Sequence, residues 1–132
     1  MLRTKSVRSP IDRSVDGLRI LAARVRGHGM KKTRYDVWMP NLGPSEKLLR
    51  RARAGFATEG AWREFKRLYQ EEMFAPAAVD KANVNIKNHG QKFTLRLLKR
   101  LAAQQNVTVM CHCAEEERHC HRHVLRELIQ AS

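Results

Sequence analysis

The chain has 132 residues, of which 42% are hydrophobic, and this length accommodates one domain whose core needs no disulfide staples. No apolar run approaches the roughly 20 residues of a membrane-spanning helix, so we expect a soluble protein without a membrane partner. The 26 lysines and arginines outnumber the 13 aspartates and glutamates and give a formal charge of +13. This charge favours acidic partners, nucleic acid foremost among them.

The positive charge is unevenly distributed along the chain. Ten cations stand between Arg3 and Arg34, against two acidic residues, so we expect the positive field to be concentrated there. The basic segment at residues 1–17 lacks the apolar centre and the cleavage site of a secretory signal. Together with the odd number of cysteines, three, this favours a reducing cytoplasm as the location.

The first half of the chain predicts one strand and two helices. The apolar run Leu18–Val25 predicts a buried strand of the parallel type, followed by an irregular connection rich in glycine and proline. Ser45 is a natural N-cap and Gly55 a natural helix end, so residues 45–55 predict a short helix with a cationic outer face. Aromatic and apolar residues at helical spacing predict a second helix from Ala61 to Phe74, whose stripe faces the core.

The second half predicts a helix, a strand and a last helix. Residues 76–90 are polar, lack a period and are predicted to form a loop. The helix covers Lys92–Gln105, the strand Val107–Cys113 and the last helix residues 119–130. The expected buried face of the first of these helices consists of Phe93, Leu97, Leu98 and Leu101. Helix, strand and helix in this order predict a single α/β domain with a small parallel or mixed sheet flanked by helices.

Residues 107–122 hold all three cysteines and three of the six histidines, so this segment is the predicted site. Cys113 stands where the strand is expected to end, and ligands of open α/β sheets bind beyond the carboxyl ends of strands. Cys120, His121 and Arg122 open the last helix. Its first amides and its dipole favour anions and would lower the pKa of a thiol.

Three interpretations of these residues stay open. In the first, Cys120 or Cys113 is a nucleophile, His121 or His112 is its base, and Arg122 holds an anionic group of the substrate. In the second, zinc is bound by Cys111, Cys113, Cys120 and His121. Against zinc stands the spacing, because neighbours on one face of a strand lie about 7 Å apart. In the third, the cysteines pack as small hydrophobic residues, His121 is a core histidine, and Arg122 is a capping or pairing residue.

The order His112, Cys113 and Arg118 also resembles the active-site loop of tyrosine phosphatases. That loop is one residue too short here, although its length fits the rhodanese type. Three glutamates inside it would repel a bound oxyanion and raise the pKa of the thiol. The acidic loop therefore argues against both types of enzyme.

Two segments resemble the domain-of-unknown-function 488 (DUF488) family of small bacterial and archaeal proteins. They are the ending CAEEERHCHRHVL and the upstream run YDVWMPNLGPSEKLL, and the resemblance covers about residues 18–129. It implies an α/β fold and implies little about activity. The positions that carry it are Arg24, Arg26, Gly27, Asp36, Trp38, Leu42, Pro44, Ser45, Cys113, Glu115, Cys120, His121 and Arg122.

If seven of these positions converge, they form one polar, cationic pocket for a phosphate-bearing or otherwise anionic ligand: Arg24, Arg26, Trp38, Ser45, Cys120, His121 and Arg122. Nucleic acid or a nucleotide is favoured, with another small anion as the alternative. A Cys/His-dependent enzyme using Cys120, His121 or Cys113 and a zinc-binding structural module are the competing functions. No cofactor is predicted, and the oligomeric state stays open. The expected ligand-binding residues are Arg24, Arg26, Trp38, Ser45, Glu115 and Arg122.

Overall fold

The computed structural model describes residues 1–76 and 90–132, and within them a sheet of four parallel strands is covered by helices. The strands follow the order β1-β4-β2-β3, and β4 pairs with β1 on one side and with β2 on the other. The predicted fold class, a single α/β domain, is confirmed. The strands are β1 Leu2–Ser6, β2 Leu18–Leu21, β3 Val37–Trp38 and β4 Val107–Cys111.

The helices begin and end at residues whose chemistry favours a cap. The Ser45 hydroxyl accepts from the amide of Leu48, and Gly55 ends the same helix with a φ of +83°. Thr58 caps the next helix, which therefore begins two residues before the predicted Ala61. The helices are α1 Arg13–Asp16, α2 Glu46–Ala54, α3 Glu59–Phe74, α4 Lys92–Gln104 and α5 His121–Ala131, with 3-10 turns at Lys32–Arg34 and Pro40–Leu42.

The basic N-terminal segment belongs to the sheet, and the sequence analysis missed its strand. Strand β1 pairs with β4 in the register from Leu2 opposite Val107 to Ser6 opposite Cys111. Its sequence, LRTKS, has no apolar run, because β1 lies at the edge of the sheet and buries only its first and last residues. Hydrophobicity alone therefore could not find it.

Two predicted strands are shorter than expected, and this places the site. Strand β2 ends at Leu21 instead of Val25, and β4 ends at Cys111 instead of Cys113. The residues that follow leave the sheet at its carboxyl edge, together with those that follow β1. Parallel strands bring such segments to one edge, where ligands of open α/β sheets bind.

Strand β4 is the centre of the molecule, since all five of its residues are buried. Val107 and Val109 pack into the main core, with residues of α3, α4 and α5, whereas Met110 belongs to a smaller cluster with Leu21 and Val7. Apolar residues on both faces are typical of a central parallel strand.

The predicted core-facing side of helix α4 is confirmed only in part, since Leu98 and Leu101 pack in the core as expected but the other two residues do not. Leu95 and Leu98 are buried, whereas Phe93 and Leu97 are 61% and 56% exposed. Apolar side chains occur on both sides of this helix, so the hydrophobic pattern alone could not fix its rotation.

The predicted loop at residues 76–90 lies outside the described residues except for its two ends. In the described ranges, no helix combines the length and the apolar character needed to cross a bilayer.

Candidate functional site

A cleft of about 780 Å³ opens at the carboxyl edge of the sheet. Its walls come from the loops that follow β1 and β2, from the inner side of α2 and from the segment between β4 and α5. The predicted location of the site, beyond the end of β4, is therefore the place where the fold leaves a concave surface.

The lining of the cleft is strongly cationic. Its described lining residues include no aspartate or glutamate. The field inside the cleft is therefore positive and is not cancelled locally. The cations are Arg8, Arg24, Lys31, Arg34 and Arg53, and the histidines are His28, His112, His119 and His121.

Three free cysteines meet in the lining, and we call them the cysteine cluster: Cys111, Cys113 and Cys120. Their sulfurs all lie within 4.8 Å of one another, and those of Cys111 and Cys120 are 2.9 Å apart. Cys111 and Cys120 are buried and Cys113 is half-buried. The expected separation of about 7 Å does not hold, because it assumes a regular strand through Cys113 whereas the chain turns after Cys111.

Arg122 lies behind the cluster and is wholly buried. Its Nη1 donates to the sulfur of Cys111 at 2.9 Å, and its Nη2 donates to the carbonyl of Glu115 at 2.9 Å. The Nε has no hydrogen-bond partner among the described residues. Arg122 therefore fastens the loop between β4 and α5 to the start of α5, and it does not line the cleft.

Glu115 ties the same loop to the N-terminal strand. Its carboxylate accepts from the Ser9 hydroxyl at 2.7 Å and from the amide of Ser6 at 3.3 Å, and it lies 3.5 Å from Arg122 Nη2. These contacts give Glu115 a structural role, and it does not line the cleft.

The hydrogen bonds of His121 define its tautomer. Its Nε2 lies 2.5 Å from the carbonyl oxygen of Ala22, which can only accept, so Nε2 carries the proton. Burial lowers the pKa of His121 and keeps the ring neutral. Nδ1 is then unprotonated and lies 3.9 Å from the sulfur of Cys120.

The three thiols hold their protons unequally. The pKa of Cys113 is lowered, first because Cys111 and then because Cys120 hydrogen-bonds to its sulfur. The hydrogen bond with Cys113 raises the pKa of Cys111 to about 11, and the hydrogen bonds with Cys111 and then Cys113 raise that of Cys120. Burial alone would lower the pKa of Arg122, but its interactions with Cys111, Cys120 and Glu115 together raise that pKa, so the guanidinium stays charged. Of the three thiols, that of Cys113 therefore loses its proton most readily, and it lies in a cluster that contacts a buried cation.

Of the positions that carry the family resemblance, the structure brings six into the lining: Arg24, Gly27, Pro44, Cys113, Cys120 and His121. The guanidinium of Arg24 donates to two backbone carbonyls in the segment before α2, at 3.2 and 3.1 Å, which holds the two walls together.

The remaining expected ligand-binding residues have other positions. Arg26 donates to a carbonyl of its own loop at 3.0 Å, and the indole of Trp38 donates to the carbonyl of Ala23 at 2.8 Å. Ser45 caps α2. None of the three side chains lines the cleft, so each supports its walls.

Several lining residues were not singled out from the sequence. Arg8, Lys31 and Arg34 belong to the ten N-terminal cations, so charge clustering did indicate their region. Arg53 reaches the cleft only because α2 folds over it. His119 is stacked on Trp62 at 4.8 Å and lies 3.3 Å from a carboxylate oxygen of Glu59, contacts that no sequence pattern indicates.

Comparison with known proteins gives one family and no individual relative. The model of the family described as "Active DUF488-N3 subclade" matches residues 2–132. The match includes the N-terminal strand, which lies outside the segments that resemble the family by their motifs, residues 18–129. Searches of curated proteins and of solved structures gave no match.

Proposed function

The chain belongs to the DUF488 family, and we propose that this member binds a phosphate-bearing ligand, a nucleotide or a segment of nucleic acid, in the cleft at the carboxyl edge of its sheet. The observation that carries this proposal is the lining, with five cations and no carboxylate among its described residues. A field of one sign in a concave site attracts and holds anions. A phosphate group is the anion that arginine and lysine together bind best.

The start of α5 supports the same ligand. Cys120 occupies the N-cap position without a side-chain cap, and both Cys120 and His121 line the cleft. The free amides and the positive end of an 11-residue helix attract anions. A volume of about 780 Å³ suits a ligand of nucleotide size, since small-molecule sites commonly span about 300–1,000 Å³.

The test uses cations that are exposed in the lining. The triple variant Arg8→Ala, Lys31→Ala and Arg53→Ala is compared with the wild type for binding to short fluorescent DNA and RNA oligomers over a range of salt concentrations. We expect the affinity to fall by roughly tenfold or more. The salt slope should fall by about one for each phosphate that the variant no longer neutralises.

A matched control removes the same charge from another surface. Lys92, Arg100 and Arg126 are exposed on α4 and α5 and do not line the cleft. Their triple alanine variant should keep the wild-type affinity within about threefold. Equal losses of affinity in the two triple variants would show that only the net charge of the protein matters, and this would contradict the proposal. The absence of binding to any oligomer would also contradict it.

A second candidate is a cysteine-dependent enzyme that acts on the bound anion. One observation favours it: the half-buried thiol of Cys113 lines the same cationic cleft. The word "active" in the description of the matching subclade accords with it. The candidate predicts that iodoacetamide modifies Cys113 first in the native protein and that a bound oligomer protects it. If the cysteines react with iodoacetamide only after the protein unfolds, their role is to pack in the core and this candidate is contradicted.

A further inference from the structure

We infer that the cysteine cluster is a metal site in which Cys111, Cys113 and Cys120 bind one zinc ion through their sulfurs. The three residues come from the end of β4, from the turn after it and from the N-cap of α5. The fold therefore brings together thiols that no regular element would place side by side. Thiolate sulfur is the ligand that zinc prefers in proteins.

The positions of the sulfurs fit such an ion with small adjustments. Zinc–sulfur bonds of about 2.3 Å in a tetrahedron place the sulfurs about 3.8 Å apart. All three sulfurs lie within 4.8 Å of one another, and the closest pair, Cys111 and Cys120, is 2.9 Å apart. Side-chain rotations that move the sulfurs by about 1 Å are sufficient to reach the tetrahedral distance.

The buried cation beside the cluster balances the charge. Three thiolates and one divalent ion carry a single net negative charge. Arg122 is wholly buried and donates to the sulfur of Cys111 at 2.9 Å, so its guanidinium cancels that charge at close range. A disulfide between Cys111 and Cys120 would instead leave the guanidinium facing a neutral sulfur.

The fourth ligand position opens into the cleft. All three cysteines line the cleft. The imidazole of His121 instead donates to a backbone carbonyl, and its Nδ1 does not belong to the group of possible ligand atoms that the three sulfurs form. Three protein ligands and one open position are typical of a zinc site that binds its ligand directly. We infer that a phosphate oxygen takes this position; that step rests on the proposed function, whereas the ion itself does not.

The test measures metal in the full chain, purified with a reductant and without a chelator. We expect about one zinc per chain by elemental analysis. The apoprotein titrated with Co²⁺ should give a sulfur-to-cobalt charge-transfer band and the intense visible bands of a tetrahedral site. Zinc below about a tenth of an equivalent together with no charge-transfer band would overturn the inference.

Variants separate the cluster from the rest of the cleft. Cys113→Ser removes the most accessible sulfur and should weaken Co²⁺ binding by at least about tenfold. His28→Ala changes another lining residue and should leave that affinity unchanged. An unchanged affinity in Cys113→Ser would overturn the inference.

A second measurement covers the case in which Cys113→Ser does not fold, as judged by circular dichroism. Wild-type protein is titrated with a mercurial thiol reagent, and released zinc is recorded with a colorimetric chelator. Release of zinc in step with reaction of the three thiols supports the site. Reaction of the thiols without release of metal contradicts it.

The fourth position is tested with inorganic phosphate added to the cobalt-loaded protein. A shift of the visible bands shows that the position is open, and unchanged bands show a closed structural site and overturn that step. Cobalt binding without oligomer binding would support the metal site and contradict the proposed function. Oligomer binding without cobalt binding would support the proposed function and overturn the metal site. Because a zinc-bound Cys113 is not a free nucleophile, a loaded site also excludes the second candidate in its free-thiol form.

Discussion

Lys5 and Arg122 are both cations withdrawn from solvent, and the structure neutralises them in different ways. The ammonium of Lys5 donates to both carboxylate oxygens of Asp16, at 3.0 and 2.9 Å, and that carboxylate is itself buried. The nearest side-chain partner of Arg122 is the sulfur of Cys111 at 2.9 Å. The carboxylate of Glu115 lies farther from Arg122, at 3.5 Å, and is half exposed.

The two partners differ in how permanent their charge is. A free carboxylate is ionised throughout the physiological range, whereas an ordinary thiol is mostly protonated there and becomes an anion when its pKa is lowered or when a metal displaces its proton into the solvent. The Lys5–Asp16 pair therefore holds the N-terminal strand under all ordinary conditions. The counter-charge of Arg122 depends on the state of the cysteine cluster, and this dependence distinguishes a site with chemistry from a purely structural ion pair.

The largest expected effect is that of Arg122→Met, which replaces the buried cation by an apolar side chain of similar length. It removes the hydrogen bonds to Cys111 and to the loop that ends at Glu115. We expect the free energy of unfolding to fall by about 3–5 kcal/mol, measured by urea denaturation. The cysteine cluster should also lose its cobalt affinity. A loss below about 1 kcal/mol would show that Arg122 is dispensable and would remove the difference from Lys5.

Asp16→Asn tests the other side of the comparison. It leaves the ammonium of Lys5 without its counter-charge, but Lys5 is partly exposed and its flexible chain can turn towards water. We therefore expect a loss of about 2 kcal/mol, smaller than that of Arg122→Met. Adding Lys5→Met to Asp16→Asn should recover part of the loss, because no unpaired charge remains. Additive losses in the double variant would show that the two side chains are not coupled.

The same contrast explains what could be predicted from the sequence. Helices α2, α3 and α5 were predicted because caps and apolar stripes are local signals, and Ser45 and Gly55 mark their helix unambiguously. Strand β1 was missed because it carries Lys5, whose partner Asp16 makes its burial possible only in the folded chain. Local sequence patterns therefore predict an element correctly when the residues that stabilise it lie within that element or next to it.

The residues of the candidate site also fall into two groups, those that a local sequence pattern indicates and those that only the folded chain brings in. The chemistry of Cys113, Cys120 and His121 was visible because these residues are crowded into one segment. Their assembly with Arg53 and Arg24 was not derivable from spacing, since it needs α2 to fold over the sheet edge. The sequence left two roles open for Arg122, binding an anion or pairing within the protein, because a sequence does not show whether an arginine faces a ligand or a neighbouring loop.

The smallest expected effect concerns a third ion pair, Arg19 with Asp36, in which the carboxylate is partly exposed. Hydrogen bonds from Arg19 lower the pKa of Asp36. A lowered pKa in the folded state adds stability above the unfolded value, about 3.9, and this contribution is lost as the pH falls through the folded value. Solvent screening keeps this contribution below about 1 kcal/mol.

The test compares Asp36→Asn with the wild type. The urea midpoints at about pH 6 and pH 3 should differ less in the variant than in the wild type. An equal acid-induced loss in both would assign the pH dependence to other carboxylates.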